Sequence, residues 1–283
     1  MKIGINSFLF TSPFTNESVS WFPKFKSWGF DSVEIAIEDP SHIDPLFIKN
    51  ELNKYGLVCG SVCAAMGPDR DLRGTSIQQN TSLKYLITLL EQMVILKCPI
   101  LVGPIYSSVG RADAVEPNDY ETQWQTVKKH LQTLAQYAEK KGLKLGLEPL
   151  NRFETDFINT TEQGLKMIDE VNNPALGLHL DTFHMNIEEK SQKEAILKAS
   201  KKLFHFHACG TDRGTPGKDS LDWKPIFDAL KQIDYQGDLV IESFTQDVKV
   251  IAKAAAIWRK IELSQEDIAV NGIKFLKSQL INY

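Results

Sequence analysis

Four apolar runs in the second half of the chain each end on a side chain able to bind a metal ion: LKLGLE at Glu148, ALGLHLD at Asp181, LFHFH at His207 and DLVIE at Glu242. They are 33, 26 and 35 residues apart, the spacing of consecutive parallel strands separated by helices, and such strands deliver their last side chains to a common rim. A carboxylate facing a barrel interior is unstable unless it is paired or metal-bound. Taken singly, each of the four reads as a helix cap or a lysine partner; taken together they favour one shared ion. Two Glu, one Asp and one His form an oxygen-rich set with a single nitrogen, which suits Mn²⁺, Mg²⁺ or Co²⁺ better than a thiolate-preferring ion.

The elements that must carry these residues can be read from the pattern. Eight β-like runs fall at residues 2–6, 32–37, 57–63, 100–103, 143–148, 176–181, 203–208 and 239–242, several of them introduced by a glycine such as Gly29, Gly56, Gly142 or Gly237. Apolar residues at three-to-four spacing predict helices over 82–97, 121–141, 161–171 and 222–233. Asn159-Thr160-Thr161 offers a helix N-cap, and Asp222 offers another with Pro225 in the opening turns. This alternation predicts an α/β protein, a single-domain (β/α)8 TIM barrel spanning residues 1–283, with its active site at the C-terminal ends of the strands. An open doubly wound sheet would bring a Gly-rich phosphate loop after its first strand, and none follows IGIN.

Composition narrows the class. The 283 residues are 42% hydrophobic and 24% charged, ordinary for a globular protein, and the net charge of −4 provides no basic field for nucleic acid. No run approaches the ~18 apolar residues of a membrane span. MKIGINSFLF lacks a signal-peptide core and reads as a first strand. Cys59, Cys63, Cys98 and Cys209 form no CxxC pair, so reduced thiols in a cytoplasmic enzyme are expected.

Side chains alternate faces along a strand, so His179 shares a face with Asp181, and His205 with His207. If Asp181 and His207 face the ion, His179 and His205 lie one layer deeper and are expected to be hydrogen-bonded interior groups rather than ligands. Gly146 lies beneath Glu148 and Val240 beneath Glu242 by the same count. Glu154, His184 and Arg213 follow the rim residues closely; on spacing alone they read equally as a solvated loop acid, a cap and a surface ion-pair partner. Arg152 is expected to pair with an acid near the rim, and Cys209 to be a spare thiol rather than a ligand.

In the stretches EPLNRFET, HLDTFHMNIEE, HFHACGTDRGTPG and VIESF the chain resembles the ketose 3-epimerases (D-tagatose and D-psicose, or allulose, 3-epimerases) of the xylose-isomerase-like TIM barrels. GPIYSSVGR, residues 103–111, is similar to the family's segment after its fourth strand. The resemblance implies that Glu148, Asp181, His207 and Glu242 hold a divalent ion, Mn²⁺ first and Mg²⁺ or Co²⁺ next. It implies that Glu148 and Glu242 exchange the substrate proton, that Glu154, His184 and Arg213 hold sugar oxygens, and that the protein is a homodimer or homotetramer acting on a free ketose.

Such chemistry needs these residue types. Inverting a carbon beside a carbonyl removes a weakly acidic proton and returns one to the opposite face, so two carboxylates must flank a planar enediolate. A cation stabilises its charge. A related sugar isomerase, or an inosose- or hydroxypyruvate-type isomerase or dehydratase, shares the barrel and similar ligands and is the alternative. An endonuclease-like barrel would bring more histidines and a basic surface, and a non-catalytic sugar binder would have a broken ligand set. Residues 248–283, with AAAIWRKI and GIKFLKSQL, are expected to complete the barrel's helices in preference to covering a subunit contact.

Overall fold

The computed structural model describes residues 1–281; Asn282 and Tyr283, the end of the C-terminal segment discussed above, lie outside the described residues. Eight strands, β1 (Ile3–Asn6), β2 (Ser32–Ile37), β3 (Val58–Ala64), β4 (Ile100–Gly103), β5 (Lys144–Leu147), β6 (Leu176–Asp181), β7 (Leu203–Ala208) and β8 (Leu239–Ile241), close into one barrel in chain order. All neighbours are parallel, and β1 closes the ring against β8. The expected (β/α)8 barrel is therefore the fold. Strands β5 and β8 stop one residue short of Glu148 and Glu242, which start the loops that follow.

The helices are α1 (Phe22–Trp28), α2 (Pro45–Lys54), α3 (Ser76–Leu96), α4 (Pro117–Lys140), α5 (Thr161–Val171), α6 (Thr182–Glu188), α7 (Gln192–Ala199), α8 (Trp223–Gln232), α9 (Lys249–Ala254) and α10 (Gln265–Leu280). Local chemistry sets their ends. Helix α3 begins six residues before the expected 82, because Thr75 and Gln78 form a reciprocal capping box ahead of the first apolar turn. Thr160 and Gln163 do the same for α5, and Asp222 caps α8 through the Lys224 N–H. Helix α4 starts at Pro117, where a missing N–H does no harm.

Outward-facing strand residues such as Ile35, Leu145, Leu147, Leu178, Leu180 and Phe206 meet the buried faces of the helices in one continuous apolar layer. Helix α10 buries Ile268, Ala269, Ile273 and Leu276 in that layer and contacts β1 and β8. As expected, the C-terminal segment thus supplies a barrel helix. All four cysteines are free and buried. Among the described residues, no helix is long and apolar enough to cross a membrane.

Helix α5 can lie close to the sheet because Gly164 has no side chain. A Cβ there would come 2.7 Å from Leu178 Cδ2 and 3.3 Å from Pro149 Cγ. Helix propensity favours alanine over glycine by about 1 kcal/mol, but overpacking a filled core costs about 1–3 kcal/mol. Gly164→Ala should therefore lower stability in denaturant titrations, and adding Leu178→Val should restore much of it. A Gly164→Ala protein more stable than the parent would show that this contact gives way freely.

Candidate active site and metal centre

The interior positions of β6 and β7 stand side by side in register, Asp181 against His207 and His179 against His205. Two layers result. In the upper one, Glu148, Asp181, His207 and Glu242 converge, each offering a ligand atom within 4.8 Å of the others, and all four are buried. In the lower one, the His179 ring packs edge-on against His207 with centroids 3.9 Å apart and against His205 at 4.9 Å. Gly146 makes room for this layer, since a Cβ on it would lie 3.2 Å from His179 Cβ. His179, His205 and His207 form a second set of mutually close ring nitrogens. Both His179 nitrogens lack a hydrogen-bond partner, so this histidine is not the bonded interior group that strand alternation leads one to expect.

Electrostatics in the upper layer are strongly unequal. Burial, reinforced by Glu242, pushes the Glu148 carboxyl well above its usual range. Burial also pushes Asp181 up to about 6, with Arg213 opposing and Glu242 adding to the rise. For Glu242, burial is outweighed by His207 and Arg213, so its carboxyl is held low. The Arg213 guanidinium donates through Nη1 to Asp181 Oδ2 at 2.6 Å and to Glu242 Oε2 at 3.0 Å. The Phe183 and Phe244 rings flank it, 4.1 and 4.9 Å from its central carbon. Sequence reasoning left Arg213 open to a surface role, but the fold buries it against the carboxylates.

The donor set fits a divalent cation. Three carboxyls crowd a nearly dry interior, and Glu148 Oε1 and His207 Nδ1 are buried without a hydrogen-bond partner. His207 Nδ1 faces Glu242 Oε2 at 3.3 Å and Asp181 Oδ2 at 4.0 Å, on the side of the cluster. An oxygen-rich set with one imidazole is a hard-cation set. Cys209, buried with its sulfur 3.9 Å from Arg213 Nη1, is not among the converging groups.

Glu34 was not anticipated. Its fully buried carboxylate accepts from Asn6 Nδ2 at 2.7 Å and Ser61 Oγ at 2.5 Å. His205 Nε2 and His207 Nε2 each stand 2.8 Å from one of its oxygens, as close ion-pair contacts rather than in-line hydrogen bonds. Burial raises the Glu34 carboxyl, but His207 and His205 outweigh it and hold it well below its usual range. For His207, burial is outweighed in turn by Glu34 and Glu242, which raise the imidazole. Asn6 also donates to Glu242 Oε1 at 3.1 Å, linking β1 to the upper layer. The signal for Glu34 was an acid inside the fully buried apolar run SVEIAI, where it stands in register with Asn6 of β1.

Asn151 was also missed. Its side chain donates to Glu154 Oε1 at 2.8 Å, and its backbone N–H donates to His184 Nδ1 at 3.0 Å. That backbone donor assigns the tautomer: Nδ1 accepts, so neutral His184 carries its proton on Nε2. Burial, with Arg213 and His207, keeps this imidazole neutral by holding it well below its usual range. His184 Nε2 lies 2.9 Å from Arg213 Nη2, so two N–H donors face each other. That distance leaves no room for an atom on the line between them, but an oxygen lying to one side would be within reach of both donors. Glu154 is largely buried beside this pair, and burial raises its carboxyl against the pull of Arg213. Arg152 pairs with Glu188 through two guanidinium bonds of 2.9 and 3.0 Å on the exposed rim, in line with the acid partner expected for it.

This arrangement invites comparison with known proteins. A family model described as xylose isomerase-like TIM barrel matches residues 22–279. The chain is 39% identical to a probable ketose 3-epimerase of Synechocystis sp., over 98% of this chain and 96% of that one. It is 34% identical to an L-ribulose 3-epimerase of Methylomonas sp., over 89% of this chain and 87% of that one. The crystal structure of D-allulose 3-epimerase from Methylomonas sp. in complex with D-allulose superposes with a TM-score of 0.92 at 29% identity, covering 99% of this chain and 97% of that one. With its closed eight-stranded barrel and these relatives, the chain belongs to the ketose 3-epimerase family of the xylose isomerase-like TIM barrels, a family of isomerase-class enzymes.

Proposed function

We propose that this protein inverts C3 of free ketoses of the D-tagatose, D-psicose (allulose), D-fructose and L-ribulose type, with Glu148 and Glu242 as opposed acid and base. One observation supports this above the rest. Four ligand-bearing groups converge within 4.8 Å, and beside them two donors, on His184 and Arg213, face each other 2.9 Å apart. A divalent ion held by Glu148, Asp181, His207 and Glu242, Mn²⁺ first and Mg²⁺ or Co²⁺ by the same chemistry, would supply positive charge against the oxyanion that proton removal creates.

The chain's own groups do the rest. Glu148 follows β5 and Glu242 follows β8, on separate arcs of the ring, so a substrate lying between them has one carboxylate on each face. One takes the C3 proton and the other returns a proton to the opposite face. His184 Nε2–H and Arg213 Nη2–H donate to the sugar oxygen that gains charge, where fixed donors are most effective. Glu154, held by Asn151, accepts from a sugar hydroxyl. Glu34 faces His207 Nε2 and so turns Nδ1 toward the carboxylates. Residues 1–283 would act as one domain, in the cytoplasm and as a homodimer or homotetramer; exposed Trp258 and Leu263, between α9 and α10, are apolar groups that a subunit contact would cover.

Two outcomes follow. Adding Mn²⁺ to chelator-treated protein at about 100 times its dissociation constant should stabilise it by about 2.7 kcal/mol, a rise in Tm on the order of 5 °C. Asp181→Asn should remove that rise, and Glu34→Gln should weaken Mn²⁺ binding in calorimetry by about 10–100-fold; an unchanged affinity in both variants would place the ion elsewhere. With the ion present, NMR in D₂O should show solvent exchange at C3 of D-psicose or D-fructose. Glu148→Gln and Glu242→Gln should each slow it by about 10²-fold or more, and full activity in either variant would refute its role as acid or base.

A further inference from the structure

Glu154 lies on the loop between β5 and α5, so no strand fixes it. Its backbone carbonyl accepts from the Gly110 N–H at 2.7 Å, in the loop after β4. The two residues that follow it, Thr155 and Asp156, both reach one side chain from the loop after β3: Arg73. Arg73 Nη2 donates to Asp156 Oδ1 at 2.6 Å, and Nη1 lies 3.4 Å from Thr155 Oγ1 and 3.3 Å from Ser107 Oγ. Its Nε donates to Gln123 Oε1 on α4 at 2.8 Å, and its guanidinium lies 4.6 Å from the centre of the Phe157 ring.

This guanidinium is fully buried, yet it touches none of the converging groups of the upper layer. Burying a cation is unfavourable unless its donors are satisfied, and here they are shared among the β4 loop, the β5 loop and α4. A planar fork with five fixed donors suits partners in several directions at once. The same network continues outward: Asp156 Oδ2 accepts from the Asp113 N–H at 2.9 Å, and Asp71 Oδ2 accepts from Arg111 Nη1 at 2.9 Å and Ser108 Oγ at 3.2 Å. The β3 and β4 loops border an open pocket of about 590 Å³ lined by Asp71, Arg73, Ser108 and Arg111 among others. On this side the loops are spaced by polar contacts beside an open pocket.

We propose that Arg73 is a positioning residue for Glu154: by gripping Thr155 and Asp156 from the neighbouring loop, it sets where the Glu154 carboxylate meets the sugar. This rests on the reading of Glu154 as a sugar-binding group. The test measures kcat and KM on D-psicose, Tm and Mn²⁺ affinity for Arg73→Lys, Asp156→Asn and Glu154→Gln and for each of the first two combined with the third. Lysine keeps the buried positive charge but loses the fork; Asp156→Asn removes the grip from the other side and carries the comparison if the lysine variant does not fold. Arg73→Lys and Asp156→Asn should each raise KM and lower kcat/KM by about tenfold and leave Mn²⁺ affinity unchanged. In the Glu154→Gln background that loss of kcat/KM should disappear, while the losses in Tm caused by Arg73→Lys and Asp156→Asn remain. Equal losses with and without Glu154 would overturn the proposal and leave the role of Glu154 standing. Full kcat/KM in Glu154→Gln itself would instead remove the role of Glu154, and the proposal with it.

Discussion

Three carboxyls and an imidazole meet at one end of this barrel with almost no exposure to water. Like charges at such range and in such surroundings cannot all ionise unless something positive lies among them. Much of the surrounding structure is arranged around that condition. Arg213 enters from the β7 loop to bond Asp181 and Glu242, and Phe183 and Phe244 hold it there. Glu34 stands on the other side of His207, so charge alternates from Glu34 through His207 to Glu242 and Asp181 and on to Arg213. Glu148, whose carboxyl is pushed up by burial and whose Oε1 has no hydrogen-bond partner, is the group that a divalent cation would let ionise.

The barrel makes such a cluster sustainable. Its strands present an apolar face to the helices, and that continuous layer holds the ring of strand ends rigid while the interior carries polar groups. Packing there is stepped. Gly146 leaves space for His179 beneath Glu148, and Asn6 ties β1 to both Glu34 and Glu242. The upper rim is built differently. Glu154, Asn151 and Arg73 sit on loops whose spacing depends on hydrogen bonds and ion pairs, which fix direction. Strand ends that hold the reacting groups and loops that address the rest of the sugar are a division of labour familiar in barrels.

His184 shows how a backbone group can decide chemistry. The Asn151 N–H occupies Nδ1, which leaves the proton on Nε2, and Nε2 then faces another donor on Arg213. Two donors opposed at hydrogen-bond distance are unfavourable alone and favourable once both can turn to an oxygen at their side. The site is therefore shaped for an oxygen-bearing ligand by the positions of its protons, not only by its outline.

The barrel and the four converging groups are legible in the amino-acid pattern. Both are periodic signals: apolar runs recurring with helical stretches between them, and a ligand-type residue at the end of each of the last four, at Glu148, Asp181, His207 and Glu242. Strand parity also placed His179 and His205 in the deeper layer, because alternation along a strand is a local rule. The local cap at Thr160 was readable for the same reason. The rest depends on partners that are distant in sequence and meet only in the folded chain. Glu34 lies mid-strand in β2, and its partners His205 and His207 come from β7, far along the chain. Arg213 could have been a surface residue until the fold set it against Asp181, 32 positions away. Arg73 and Asp156 are 83 positions apart, on loops with no periodicity to relate them. A repeating pattern can specify which strand ends share a rim, but loop-borne contacts across it exist only once the barrel has closed and brought those loops together.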